Sequence, residues 1–185
     1  MKAKTLAALR ELPSIVKNKI LLIALIGVAV TLLFAILWIK NLFTNGLNAP
    51  LLVPVLVGVA IVLKAYYDLI DAYQNGYLKI YGYSASDIGL DYALGGKKKG
   101  KLRTFTLIPE YAELIREGIA EEAEELTTPI VVPITSFFPS KNDDIILYLP
   151  KKSSAYKDFK GNTRYEKIYG YLLEEELNQD DNEEN

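Results

Sequence analysis

Residues 20–39 read ILLIALIGVAVTLLFAILWI. The run carries no charge, and Thr31 is its one hydroxyl. At ~1.5 Å per residue a helix of this length covers roughly 30 Å, one hydrocarbon thickness. Fourteen of the twenty residues are Leu, Ile, Val or Phe, and on a membrane-insertion scale these sum to about −4 to −8 kcal/mol. A core helix so uniformly apolar needs a large domain around it, and a secretory signal has a shorter apolar run with a small-residue cleavage site. The run is therefore read as a membrane span.

A second span is expected at about 50–66, within APLLVPVLVGVAIVLKAYYDLIDAYQNG (49–76). Its fully apolar part, 51–63, is short, but Lys64 can snorkel and Tyr66 and Tyr67 suit an interface. Pro50 fits a first helical turn, and Pro54 either bends the helix or lies within its first turns. Tyr66, Leu69, Ile70 and Tyr73 continue one helical stripe, so the helix extends to about residue 75, where Asn75-Gly76 can cap it. The connection KNLFTNGLN (40–48) is short enough to force an antiparallel hairpin over 20–75.

Lys2, Lys4, Arg10, Lys17 and Lys19 precede the first span, while the connection holds only Lys40. The positive-inside rule then predicts a multi-pass protein of the plasma membrane with both termini in the cytoplasm. Within the basic segment 1–19, TLAALREL (5–12) is read either as a brief amphipathic helix along the inner surface or as a frayed end. Apart from Lys64 at the end of the second, neither span contains Asp, Glu, Lys, Arg, Asn or Gln, the groups that ion paths and proton relays need at depth. The hairpin is expected to act as an anchor.

Residues 76–177 read as a small cytoplasmic α+β domain, an antiparallel sheet of about five strands with two helices. Strands are expected at 77–83, 88–94 and 102–108, from their β-branched and aromatic content between Gly, Ser and Pro. Over 109–126, Tyr111, Leu114, Ile115, Ile119 and Ala123 recur at helical spacing, with Pro109 fit for a first helical position. Residues 128–138 look extended and are expected to pair with 144–149 across the SKND turn. Thr163 with Glu166 has the form of a capping box opening a helix to about 177. The acidic tail 178–185 reads as disordered.

The chain has no Cys and no His, which removes thiolate and imidazole chemistry and Cys/His metal sites. GGKKKGKLRT (95–104) approaches a phosphate-binding loop, but Leu102 stands where the metal-binding hydroxyl belongs and the sequence that follows is strand-like. The simpler reading is a hairpin tip carrying Lys97, Lys98, Lys99, Lys101 and Arg103, either as solvated surface or against anionic lipid headgroups. Glu121, Glu122, Glu124 and Glu125 form an acidic cluster at the expected C-terminal end of a helix, where the dipole disfavours them; a cationic contact or plain solvation accounts for it. Six of the thirteen tyrosines, Tyr66, Tyr67, Tyr73, Tyr77, Tyr81 and Tyr83, gather just beyond the second span. They are read as interface belt and sheet packing, or as a docking surface for a partner.

No nucleophile–base pair, metal set or cofactor motif is present, so no enzymatic activity and no cofactor are expected. With a net charge of −2 and few aromatics among the lysines, nucleic acid is disfavoured. The expected function is a non-catalytic membrane-anchored accessory or scaffold protein. Its partners are the bilayer and another membrane protein or copies of itself. Two alternatives stand beside it: an anionic-lipid-sensing module using 97–103, and a homo-oligomeric structural component of a secretion, conjugation or virion assembly. In element order, two spans then a small β-rich domain, the layout is similar to that of bacterial pleckstrin-homology-like membrane proteins; the likeness implies no site residues.

Overall fold

A computed structural model describes residues 2–46, 49–92, 101–121, 124–134, 137, 139–158 and 161–174. The chain divides into two compact units, Met1–Gln74 and Asn75–Asn185.

The first unit is helical. Helix α1 covers Lys2–Glu11, α2 Ser14–Asn45 and, after a 3₁₀ turn at Ala49–Leu51, α3 Leu52–Gln74. Pro13 separates α1 from α2: its extended ψ of 147° cannot continue a helix, and its carbonyl accepts from Val16 and Lys17 N–H to start the next one. Two of the helices, α2 and α3, are long and apolar enough to cross a membrane. They pack antiparallel through small residues. Thr31 Oγ1 donates back to Gly27 O at 2.8 Å, and a Cβ at Gly58 would lie 2.8 Å from Gly27 O and from Thr31 N. Only hydrogen at Cα lets the two backbones approach this closely.

Helix α1 stands beside α3. Thr5 Oγ1 donates to the Tyr66 hydroxyl at 3.5 Å, and the Tyr73 hydroxyl donates to Glu11 Oε2 at 3.0 Å. From Thr5 to Glu11 is ~9 Å along one axis, and from Tyr66 to Tyr73 ~10.5 Å along the other. The two helices therefore run side by side in the same direction. Of the two sequence alternatives for this segment, a brief helix or a frayed end, the structure has a helix, packed beside α3.

The second unit is a nine-stranded mixed sheet, where an antiparallel sheet of about five strands was expected. The strands are β1 Tyr77–Tyr92, β2 Lys101–Arg116, β3 Ile119–Ala120, β4 Glu124–Glu125, β5 Ile130–Pro133, β6 Asp144–Pro150, β7 Ala155–Lys157, β8 Thr163–Tyr165 and β9 Gly170–Leu173. Their order is β7-β8-β5-β2-β1-β6-β9, with β3 and β4 also on β2. The expected strand at 77–83 and that at 88–94, of which 93 and 94 lie outside the described residues, fall in one strand with an irregularity between Ala85 and Gly89.

Both expected helices of this unit are corrected, the second as far as Leu173, with 175–177 outside the described residues. Residues 109–116 continue β2, and the chain then reverses at Glu117-Gly118, with φ of 49° and 76°. Positive φ at both central residues is the signature of the two-residue hairpin turn that matches strand twist. Apolar side chains lie on both faces of β2, so a period of two passed for one of 3.6. Pro109, expected at a helix start, sits at a bulge: Tyr81 faces Tyr111 and Gly82 faces Pro109, leaving Glu110 as the extra residue. A Cβ at Gly82 would lie 2.8 Å from Pro109 Cα, so the opposing position needs glycine. The capping-box residues are used otherwise. Thr163 N–H donates to Pro129 O at 2.8 Å and its hydroxyl accepts from Lys157 Nζ at 2.8 Å.

Pairing also differs from expectation. The turn at 140–143 exists, held by Ser140 N–H donating to Asp143 Oδ2 at 2.6 Å, but β6 pairs with β1 and β9, while β5 pairs with β2. The sheet curls. Strands β8 and β9 stand five spacings apart, ~24 Å in a flat sheet, yet residues 166–169 between them reach at most about 17 Å. The enclosed core comprises Ile80, Phe105, Leu107, Ile130, Val132, Ile145, Leu147, Leu149 and Tyr171.

Candidate functional site

The six tyrosines singled out from sequence fall into two groups, one in each unit. In the helical unit, Tyr66 and Tyr73 are tied to α1 through the hydrogen bonds above. Tyr67, edge-on to Tyr66 at 5.8 Å, is 68% exposed. In the sheet unit, Tyr77, Tyr81 and Tyr83 alternate along β1 and so share a face with Lys79.

That face is an organised cross-strand array. Tyr81 stacks on Tyr111 of β2 with centroids 4.4 Å apart, and its hydroxyl donates to Glu113 Oε2 at 3.2 Å. Lys79 Nζ lies 4.7 Å above the Tyr81 ring, directly opposite Glu113 in register. On the other side Tyr148 of β6 faces Lys79, with its ring 6.1 Å from that of Tyr77. Tyr111, Tyr148, Lys79 and Glu113 were missed from sequence. Tyr111 and Glu113 fell inside the expected helix, and the partner of β6 was misassigned. Tyr77 and Tyr148 are buried, whereas Tyr83 is exposed.

Burial raises the phenol pKa values of Tyr77 and Tyr81, and the charge of Glu113 adds to the second. Burial pushes Tyr148 from 10.0 up to about 12. The neutral phenol is the form the fold favours. Stability from Tyr148 is therefore complete below pH 10 and is lost as pH climbs from 10 to 12, about 2–3 kcal/mol in all. Urea unfolding of the detergent-solubilised chain is expected to weaken steeply over that window. The Tyr148→Phe variant is expected to keep that part of its stability, and a superimposable pH profile for the two proteins overturns the assignment.

The basic tip is only partly described: Lys97, Lys98 and Lys99 lie outside the described residues. Lys101 opens β2 opposite Tyr92, and Arg103 is an exposed residue of β2 opposite Leu90. In the acidic cluster, Glu122 lies outside the described residues. The Glu121 carboxylate faces the two terminal guanidinium nitrogens of Arg116 at 3.2 and 3.4 Å. Glu124 and Glu125 form β4, opposite Ala112 and Tyr111. Since this segment is strand rather than helix, the unfavourable dipole inferred from sequence is absent, and Arg116 supplies an internal counter-charge.

Among the described residues no three acidic side chains gather into a metal-binding group. A cleft of about 180 Å³ lies between Leu126, Thr128, Ile130, Thr163 and Tyr165, below the ~300–1,000 Å³ typical of small-molecule sites. No protein-family model, curated protein or solved structure matches this chain.

Proposed function

We propose that the protein is a non-catalytic accessory protein anchored in the plasma membrane by the α2–α3 hairpin, with both termini cytoplasmic and the curled sheet presented for docking to a membrane-protein partner. One observation carries the anchor: the most apolar windows of α2 and α3 are only 11% and 17% buried. The core helix of a soluble protein hides such a surface, and a bilayer accommodates it. Orientation follows from the five basic residues before α2 against Lys40 alone in the connection. For docking, the face of Tyr81, Tyr83, Lys79 and Glu113 offers tyrosine surface, with Tyr83 exposed, and aromatic residues are enriched at interfaces.

The chain lacks cysteine, so single substitutions report topology. Ser154→Cys is expected to resist membrane-impermeant maleimide in intact cells and to react after permeabilisation. Labelling in intact cells, or recovery of the chain in the soluble fraction, overturns the anchor. Affinity purification in mild detergent is expected to recover a membrane protein that is lost with Tyr83→Ser and Lys79→Ser.

Lipid sensing by the basic hairpin keeps a place because of its reach. Pairing of β1 with β2 continues to Tyr92–Lys101, past the last partner of β6 at Tyr83 and of β5 at Thr104. The paired strands thus extend past the body of the sheet as far as Tyr92 and Lys101, next in sequence to Lys97, Lys98 and Lys99. Salt-sensitive binding to anionic vesicles, lost with Lys97→Ser, Lys98→Ser and Lys99→Ser, selects this reading. A stable oligomer in detergent with no second protein selects the homo-oligomeric one.

A further inference from the structure

We infer that α1 and the start of α2 form a contact face for anionic phospholipid headgroups, distinct from the hairpin tip; the inference rests on the membrane-anchor reading. The packing sets the level of α1. Thr5 meets Tyr66, and Gly27 meets Gly58 and Ile61, so both helices can be placed along α3. Lys4 then lies near the level of α3 residue 65, and Lys19 about 5 Å farther out. That is where the charge-free run of α2 ends. Arg10 follows at about 10 Å beyond Lys4, close to one screening length.

The chemistry of this face fits a headgroup layer. Lys4, Arg10 and Lys19 are exposed, and none of them forms an ion pair among the described residues. The one carboxylate nearby in sequence, Glu11, accepts from Tyr73. Lys17 is directed to Leu9 O at 3.1 Å, which joins α2 to α1. Leu6 and Leu9 of α1 are 52% and 36% exposed, while Ala8 and Leu12 are buried. Apolar side chains between exposed cations are the composition that binds at the boundary of acyl chains and anionic headgroups. An acidic protein segment would satisfy the cations and leave the leucines in water. A lipid surface accommodates both.

The test uses the full chain in nanodiscs of mixed phosphatidylcholine and phosphatidylglycerol. Electron paramagnetic resonance with spin-labelled lipids reads the relative association of the two headgroups at the protein. Each cation at the surface is expected to favour the anionic lipid about fivefold before screening. The triple variant Lys4→Ser, Arg10→Ser, Lys19→Ser is expected to lower the preference at least tenfold, whereas Lys4→Arg, Arg10→Lys, Lys19→Arg retains it. A preference that is absent, that survives the serine variant, or that vanishes instead with Lys97→Ser, Lys98→Ser and Lys99→Ser overturns the inference while leaving the anchor intact. A chain that never enters the discs overturns the anchor itself, and this inference with it.

Discussion

Gly58→Leu is expected to separate the two apolar helices. The first atom beyond Cα at this position meets backbone, with Gly27 O and Thr31 N both 2.8 Å from an added Cβ. A flexible side chain could rotate away, but a carbonyl oxygen in a continuous helix cannot. The helices must move apart by more than an ångström, and the contacts of Gly27 with Ile61 and Val62 loosen together. Overpacking of a tight interface costs about 1–3 kcal/mol where side chains can adjust, and the upper end applies against backbone. For a unit of this size that is a fall in Tm of about 10–20 °C. Circular dichroism of the full chain in dodecyl maltoside is the measurement. Val57→Leu, on an exposed position one residue away, is expected to melt as the parent does. Equal melting of Gly58→Leu and the parent would mean that the hairpin does not close through these glycines.

The second large effect is expected from Tyr171→Ala in β9. Tyr171 is fully buried, its ring 5.0 Å from Phe105 and 4.9 Å from Phe137, both edge-on. Its hydroxyl donates to Phe137 O at 2.6 Å. Phe105 belongs to β2, three places along the sheet from β9, so this ring helps hold the curl closed. Deleting a large buried aromatic side chain costs about 3–5 kcal/mol. Tyr171→Phe keeps the ring contacts and leaves the Phe137 carbonyl without its donor, about 1–3 kcal/mol. Urea unfolding followed by near-ultraviolet circular dichroism is expected to rank the parent above Phe and Phe above Ala. A reversed order, or a cost for Ala below 1 kcal/mol, would place the centre of the core elsewhere.

These two sites differ in how legible they were. The glycines lie in a run whose helical character was evident, since twenty uncharged apolar residues have few alternatives. Nothing in that run, however, marked Gly27 and Gly58 as partners, because the register between two helices is a property of their packing. Tyr171 lay in a segment read as helix. Thr163 and Glu166 satisfy a four-residue capping pattern, but Pro129 O, beside the parallel partner β5, and Lys157, brought in by antiparallel pairing with β7, claim the N–H and hydroxyl of Thr163. The stretch 109–116 failed for a related reason. A strand with apolar side chains on both faces loses the alternation that identifies strands, and Tyr111, Leu114 and Ile115 then match a helical stripe by chance.

By itself the amino-acid order determined the two long apolar helices, their hairpin connection, the extended character of residues 77–83 and 144–149, and the lack of thiol or imidazole chemistry. Each depends on composition or on spacing within about twenty residues, and a local signal of that kind survives whatever the rest of the chain does. Tertiary structure decided that α1 stands against α3, that Glu117-Gly118 reverses a strand, that β6 pairs with β1 and β9, and that Lys79, Tyr81, Tyr111 and Glu113 meet on one face. Those outcomes depend on which distant groups meet the backbone's hydrogen-bonding demands and cover its apolar surface, and that competition is settled only when the whole unit closes.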